Sequence, residues 1–358
     1  MKPINFAVLG SLFVCSVVFA HHGSNGQFNA NVRVNVTGKV TKLSMVNPHA
    51  YVYFDVTKDD GEIQPWRCEM RAGSMLRRTG WTAEMFAPGT VITIEGAQAR
   101  REEFGCMMNT VTFSDGMTYQ RNDVIEATEK ARPQVAQVKL AGDVPNLNGN
   151  WVAPQRPRGA RPPGAPSSGA RPAGRPPGRR PEPYQQTDAG IAAGEGFERE
   201  MNPRFHCQAT NIFLDFWFDQ HVNRIEQSDD KIVIAYGFMD IVRTIHLDLD
   251  KHPSDVVASR AGHSIGKWED DILVVDTKGF EEGYLEATFS GVKHSDQLHT
   301  VERFSISEDG NSLTQSYTAT DPVYLASPHE GQQTFNRTDA VFEPYECKDL
   351  TEEIVSGF

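Results

Sequence analysis

Residues 51–56, Tyr-Val-Tyr-Phe-Asp-Val, and residues 91–95, Val-Ile-Thr-Ile-Glu, alternate toward and away from apolar character with a period of two. That period marks half-buried strands. Extended along the first third of the chain, it predicts five short strands: Val36–Met45, Ala50–Thr57, Pro65–Arg71, Thr90–Gln98 and Met108–Ser114. Asp59-Asp60-Gly61, Pro88-Gly89 and Asp115-Gly116 are turn sequences between them. The segment Gly73–Gly80, where Met75 and Leu76 precede Arg77 and Arg78, predicts a short helix. Five strands with a helix between the third and fourth is the order of an OB-type barrel.

The same pattern returns after residue 222. It predicts strands at Val222–Glu226, Lys231–Tyr236, Val242–Asp248, His263–Trp268, Ile272–Asp276, Leu298–Ile306, Leu313–Thr320 and Thr334–Phe342. Asp229-Asp230, Glu269-Asp270-Asp271 and Asp309-Gly310-Asn311 supply turns. Joined to Gly149-Asn150-Trp151, these strands predict a second, larger antiparallel barrel, broadly lipocalin-like, with a two-sheet sandwich as the alternative. No long amphipathic pattern interrupts them, so the expected class is all-β.

Four further segments complete the expected layout. Residues 1–20 read as a signal peptide, with Lys2, an apolar run from Ile4 to Phe19, and Val18-Phe19-Ala20 as the cleavage signal. The first module then spans 21–125 and a polar connector 126–146. The second module takes 147–153 and 184–358. Between them, 154–183 is almost wholly Pro, Gly, Ala, Ser and Arg, with seven arginines, a composition that cannot bury a core. Such an arm could touch anionic surfaces, although a solvated tether whose charge keeps it extended is the simpler reading.

Export sets the redox context: a periplasmic or secreted protein keeps disulfides. Once Cys15 leaves with the signal, four cysteines remain, and pairing within modules gives Cys68 with Cys106 and Cys207 with Cys347. The formal charge of −12 argues against general nucleic-acid binding. No later apolar stretch is long enough for a membrane span.

His21-His22-Gly23-Ser24, Val46-Asn47-Pro48-His49, Trp66, Glu69 and Gly80-Trp81 form one set of motifs. Gly262-His263-Ser264-Ile265-Gly266-Lys267-Trp268-Glu269, Leu273–Phe280, His294-Ser295, Glu302-Arg303-Phe304 and Tyr345-Glu346-Cys347 form another. Together they resemble a family of secreted bacterial two-module proteins of uncharacterised function. The resemblance implies location and layout, and no reaction; the arginine-rich insertion is not part of its pattern.

Two clusters carry candidate chemistry. Cleavage before His21 would free an α-amine beside its Nδ1, and His22 or His49 could add a third nitrogen, a donor set that favours copper. Met45, Met70, Met107 and Met108 are possible soft ligands, though methionines on strands are more often core filler. In the second module, alternation puts His299, Val301 and Arg303 on one face, and Leu298, Thr300, Glu302 and Phe304 on the other. Arg243 and His246 likewise fall on opposite faces.

The first functional expectation is a small, partly apolar ligand held in the second barrel, with Phe213, Phe216, Trp217, Phe218 and Trp268 lining the pocket and His294 beside them. The alternative is an enzyme with His263 or His299 as base and Arg243 or Arg303 stabilising an anion, displayed together in the barrel interior. Glu302 is a further candidate, to which parity gives different surroundings from His299 unless a bulge intervenes. Arg303 could instead serve as a fork for Asp276 or Glu302. No P-loop, dinucleotide fingerprint or His-Glu-x-x-His is present, and Ser264 sits in a predicted hairpin rather than a nucleophile elbow.

Overall fold

The computed structural model describes residues 27–125, 137–154, 184–198, 201–211, 221–286 and 291–349. The expected signal peptide, the start at His21-His22, most of the connector and the Pro/Arg insertion lie outside these residues. So do Phe213, Phe216, Trp217 and Phe218.

The first module is built on β1 (Phe28–Ser44), β2 (Tyr51–Thr57), β3 (Ile63–Glu69), β4 (Val91–Ala99), β5 (Gly105–Phe113) and β6 (Thr118–Gln120). A short helix, α1 (Gly73–Arg78), stands between β3 and β4, as the Met75-Leu76-Arg77-Arg78 pattern predicts. β1 pairs with β4 along its first part and with β2 along its last, and β3 pairs in parallel with β5. The pairings β1–β2–β3–β5–β4–β1 therefore run in a ring. Gly38 lies where β1 passes from one partner to the other; a Cβ there would stand 2.4 Å from the Asp55 carbonyl oxygen. β1 begins at Phe28, eight residues before its predicted start: the alternation of Ala30, Val32, Val34 and Val36 already runs there, although Ala30–Arg33 is exposed.

Inward strand residues, among them Val52, Phe54, Trp66, Ile92 and Ile94, make one core with Trp81 and Phe86 from the segment between α1 and β4. Cys68 and Cys106 are register partners across β3 and β5, and they are bonded.

The second module closes nine strands in a ring: β7 (Gly149–Val152), β8 (Asn223–Gln227), β9 (Lys231–Ala235), β10 (Val242–His246), β11 (His263–Glu269), β12 (Ile272–Lys278), β15 (His299–Ile306), β16 (Ser312–Thr320) and β17 (His329–Thr338). The Gly-x-Trp strand β7 does close the barrel, between β8 and β17. One pair departs from the expected antiparallel order. A ring of nine strands cannot alternate direction all the way round, and β10–β11 is the parallel pair. Parallel neighbours need a long crossover, and 247–262 supplies it.

β13 (Gly283–Glu286) and β14 (Val292–His294) form a separate ribbon between β12 and β15. A second helix, α2 (Asp188–Gly194), packs against β14 and is capped by the Thr187 side chain, which accepts from the Gly190 N–H at 3.0 Å. β17 begins five residues before its predicted start, at His329, since its first half is His, Glu, Gly and Gln rather than apolar residues. Among the described residues no helix is long and apolar enough to cross a membrane.

Trp151, Ile225, Ile232, Ile245, Val275, Phe304, Leu313 and Phe335, each at most 2% exposed, fill the barrel from side to side. The modules touch at the Val46-Asn47-Pro48-His49 motif. Asn47 Nδ2 donates to the Tyr345 carbonyl, and Asn47 Oδ1 accepts from both the amide and the hydroxyl of Ser74, each at 3.1 Å. The Lys348 amide donates to the Asn47 carbonyl at 2.9 Å. Beside this clasp, the rings of His221, Phe238 and Tyr345 pack together, and Cys207 is bonded to Cys347.

Candidate functional site

Period-two alternation sorts the polar residues of the barrel into an inner and an outer set. Along β15 the burial alternates as the sequence predicts, with Thr300, Glu302 and Phe304 inward and His299, Val301 and Arg303 outward. Along β10, Arg243 and Ile245 face in.

The inner set is a closed network. Arg243 donates through Nη1 to Glu302 Oε1 at 3.1 Å, through Nε to Ser264 Oγ at 2.8 Å and through Nη2 to Thr277 Oγ1 at 2.7 Å. Its Nη2 also pairs with Glu302 Oε2, and Gln315 donates to Oε1 of the same carboxylate at 2.6 Å. Burial would lower the Arg243 pKa, but Glu302 raises it further, so the guanidinium stays charged. Beside it, burial pushes the Tyr236 phenol up to about 12. Every strong donor and acceptor here is spent on a neighbour, which is the arrangement a buried ion pair requires. Arg243 and Glu302 hold the barrel interior.

The expectation that His263, His299 and Arg303 share that interior with Arg243 is therefore corrected. All three belong to the outward face of their strands, opposite in parity to the buried positions. Arg303 is exposed and donates to Glu269 at 2.7 Å, rather than to Asp276 or Glu302. Trp268 packs on the core at the far end of β11 from His263.

The outer set converges on one carboxylate. Asp276 Oδ2 lies 2.7 Å from His299 Nε2, and Asp276 Oδ1 lies 2.7 Å from His252 Nε2. His252 Nδ1 then meets His263 Nδ1 at 2.8 Å, and the His246 ring stacks on His263 at 5.1 Å. Partial burial pushes the Asp276 pKa up, but the hydrogen bonds from His299 and His252 outweigh it and hold the carboxyl below its usual value. An ionised Asp276 accepts from both rings. Each neutral ring that donates its Nε2–H keeps a lone pair on Nδ1, and on His299 that leaves Nδ1 as a base.

His299 also lines a groove of about 530 Å³ at this end of the barrel. Its walls are Lys278 and Gly279 from the end of β12, the turn Asp296–Leu298, and the segment Thr320–Pro328. Leu298, Pro322, Leu325 and Pro328 make it partly apolar. Asp321 is already engaged by the amide and hydroxyl of Ser295, at 2.6 and 2.8 Å, and by the amides of Val323 and Tyr324. Lys278, Asp296 and His299 are the groove's ionisable groups besides it.

His294, expected beside the ligand, faces away from this groove and lines a smaller cavity. His49, the expected third copper ligand, has Nδ1 3.4 Å from Glu69 Oε1, and His21 and His22 lie outside the described residues. Met70 and Met108 are wholly buried in the first core, so they pack rather than present sulfur to solvent. Among the described residues, no group of three or more His, Cys, Asp or Glu side chains is placed to hold a metal ion.

His252 escaped sequence reasoning. It stands in the β10–β11 crossover, where no strand period assigns a face. Asp276 was visible only as a partner for Arg303, although its outward parity, shared across the register with Ile265 and Val301, is the signal that places it near His299.

Residues 11–107 match the model of a family of unknown function (DUF6152), a stretch that ends within β5 of the first module. No curated protein and no solved structure matches the chain.

Proposed function

We propose that the second barrel of an exported protein binds a small, partly apolar molecule in the groove at its Lys278–Leu298 end. The groove itself carries the reading: about 530 Å³ is within the size range of ligand sites. Its composition fits too, since ligand sites are mostly apolar with a few placed polar groups. Leu298, Leu325, Pro322 and Pro328 would receive the apolar body, while Lys278 and His299 Nδ1 would meet one polar group. The first, OB-like module then acts as an accessory domain, and the two disulfides suit the oxidising compartment that an exported chain enters.

The test uses 8-anilinonaphthalene-1-sulfonate, an apolar anion that fluoresces when bound, together with native mass spectrometry of protein from its own host. Saturable binding at one site, weakened at least tenfold by Leu325→Arg, is the expected result. Equal binding by Leu325→Arg, with no co-purifying small molecule, would remove the proposal.

The His299–Asp276 pair favours a second reading, acid–base chemistry on the bound molecule. A carboxylate that fixes one ring nitrogen leaves the other as an oriented base. If the co-purified molecule is converted by the wild type and binds His299→Asn unchanged without conversion, the groove is an active site.

A further inference from the structure

The crossover 247–262 between the parallel strands β10 and β11 is fastened by its backbone only at its ends. The Leu247 amide donates to the Asp230 carbonyl at 2.8 Å, and the Ser259 amide to the Gly279 carbonyl at 3.1 Å. Among the described residues no backbone hydrogen bond ties 248–258 to the rest of the chain. Pro253–Asp255 and Val257–Ala258 are exposed. The Asp250–Lys267 pair is at the surface, where such pairs contribute little.

Two side chains hold the middle. Val256 packs on Gly279, where an added Cβ would stand 2.6 Å from the Val256 Cγ1. His252, 14% exposed, reaches Asp276 through Nε2 at 2.7 Å and His263 through Nδ1 at 2.8 Å. The second contact is unusual in joining two Nδ1 atoms. An ionised Asp276 only accepts, so His252 Nε2 carries a proton whether the ring is neutral or charged. Between the two Nδ1 atoms there is room for one proton. A neutral His252 is bare at Nδ1 and accepts from His263; a charged His252 donates to a His263 that is bare at Nδ1. The pair therefore tolerates one added proton. It cannot take a second, because two N–H groups would then point at each other across 2.8 Å.

The neighbours set where that second proton arrives. His246 of β10 stacks on His263 at 5.1 Å, and its Nδ1 lies 3.8 Å from Asp248. From β12 come Asp276 and Lys278, and His299 of β15 holds the other Asp276 oxygen. Burial, followed by the charges of His252 and His246, keeps His263 below the ordinary histidine pKa of about 6.5. The contact is thus intact at neutral pH.

We propose that the His252–His263 pair is an acid-sensitive latch, which fastens the β10–β11 crossover to the barrel at neutral pH and releases it when both rings carry a proton. A charged His252 still has Asp276, but that carboxylate is divided with His299, and His263 repels the same ring. Release would lift Val256 from Gly279, a residue of the groove wall. The latch works whether or not the groove holds a ligand.

Amide hydrogen exchange of the full chain tests this, followed from pH 7.5 to 4.5 and corrected for the intrinsic pH dependence of exchange. Protection across 248–258 should fall at least tenfold, in step with the protonation of His263 read at its ¹⁵N ring resonances, while β11 and β12 stay protected. His263→Asn puts an uncharged amide where Nδ1 stood, able to donate to a neutral His252 or accept from a charged one. It should hold the crossover within about twofold over the whole range. His252→Ala should free the crossover already at pH 7.5. Unchanged protection of 248–258 in the wild type, its loss only together with β11 and β12, or a His263→Asn protein that responds like the wild type would each overturn the latch.

Discussion

Arg243 and Glu302 meet inside the second barrel with each side chain 1% exposed, and Ser264, Thr277 and Gln315 take up their remaining hydrogen-bonding capacity. Both residues are candidates for acid–base chemistry on residue type alone. Their setting argues otherwise, since a reacting group needs a free donor or acceptor and a void beside it, and neither residue lines the groove.

A structural role makes a quantitative prediction. Removing one partner leaves a buried charge, so Glu302→Ala should cost about 3–5 kcal/mol. The double change Arg243→Met with Glu302→Leu should cost distinctly less, because it leaves no orphaned charge. Urea denaturation of the three proteins measures this. A single substitution that costs under about 1 kcal/mol would show the pair to be dispensable.

The groove residues predict the converse pattern. His299 lines the groove and Asp276 holds its ring from behind, each about one third exposed, so His299→Ala and Asp276→Asn should lower ligand affinity while shifting stability by no more than about 1 kcal/mol. The expected loss is several-fold in dissociation constant for 8-anilinonaphthalene-1-sulfonate. A fall in melting temperature without any change in affinity would assign the cluster to the fold instead.

Stability should also fall on mild acidification, with a sign set by three histidines. Burial, with the charges of His252 and His246 acting in the same direction, holds His263 below its ordinary pKa, and burial alone does so for His329. His294 is shifted the same way. A histidine depressed in the folded state binds its proton more weakly than in the unfolded chain. The unfolded state therefore takes up more protons between the folded pKa and about 6.5. Stability is full above that window and is lost as pH drops through it, at up to about 1.4 kcal/mol per pH unit for each group. Asp276, also depressed, adds its loss only at lower pH, as pH falls through its folded value. Melting curves from pH 7.5 to 5 should show the decline, and His294→Gln should flatten it. A flat wild-type profile over that range would contradict the assignment.

Much of this fold can be read from the chain because strands write their burial into alternate residues. Leu298–Phe304 shows the correspondence residue by residue, and the Cys68–Cys106 bond follows from keeping each bridge within one module. What escapes has no such period. The parallel β10–β11 pair depends on the ring having an odd number of strands, which no single segment encodes. Arg243 reaches Thr277 and Glu302 through the interior, so its partners lie 34 and 59 residues away with no pattern to join them. His252 sits in a crossover. Parity showed that His299 and Glu302 must have different surroundings, yet it could not say which face holds a cavity.

Asn47 carries the last prediction. The Val46-Asn47-Pro48-His49 motif invites a metal-binding reading through His49, but its buried residue is Asn47, 3% exposed. The side chain of Asn47 joins α1, through Ser74, to the Tyr345 carbonyl of the second module. Its backbone carbonyl accepts from Lys348, beside the Cys207–Cys347 bridge. Asp has the same shape as Asn but no N–H to donate, so Asn47→Asp would set a carboxylate oxygen against the Tyr345 carbonyl. Breaking buried hydrogen bonds of this kind costs about 1–3 kcal/mol each. That cost falls on the junction between modules rather than on either core, because neither core includes Asn47. Calorimetry should then resolve two separate melting transitions in Asn47→Asp where the wild type gives one, or gives two that lie closer together. The Phe238–Tyr345–His221 packing next to the clasp should loosen with it, which near-ultraviolet circular dichroism can follow. If both modules melt in Asn47→Asp as they do in the wild type, Asn47 contributes nothing to their union, and the motif needs another explanation.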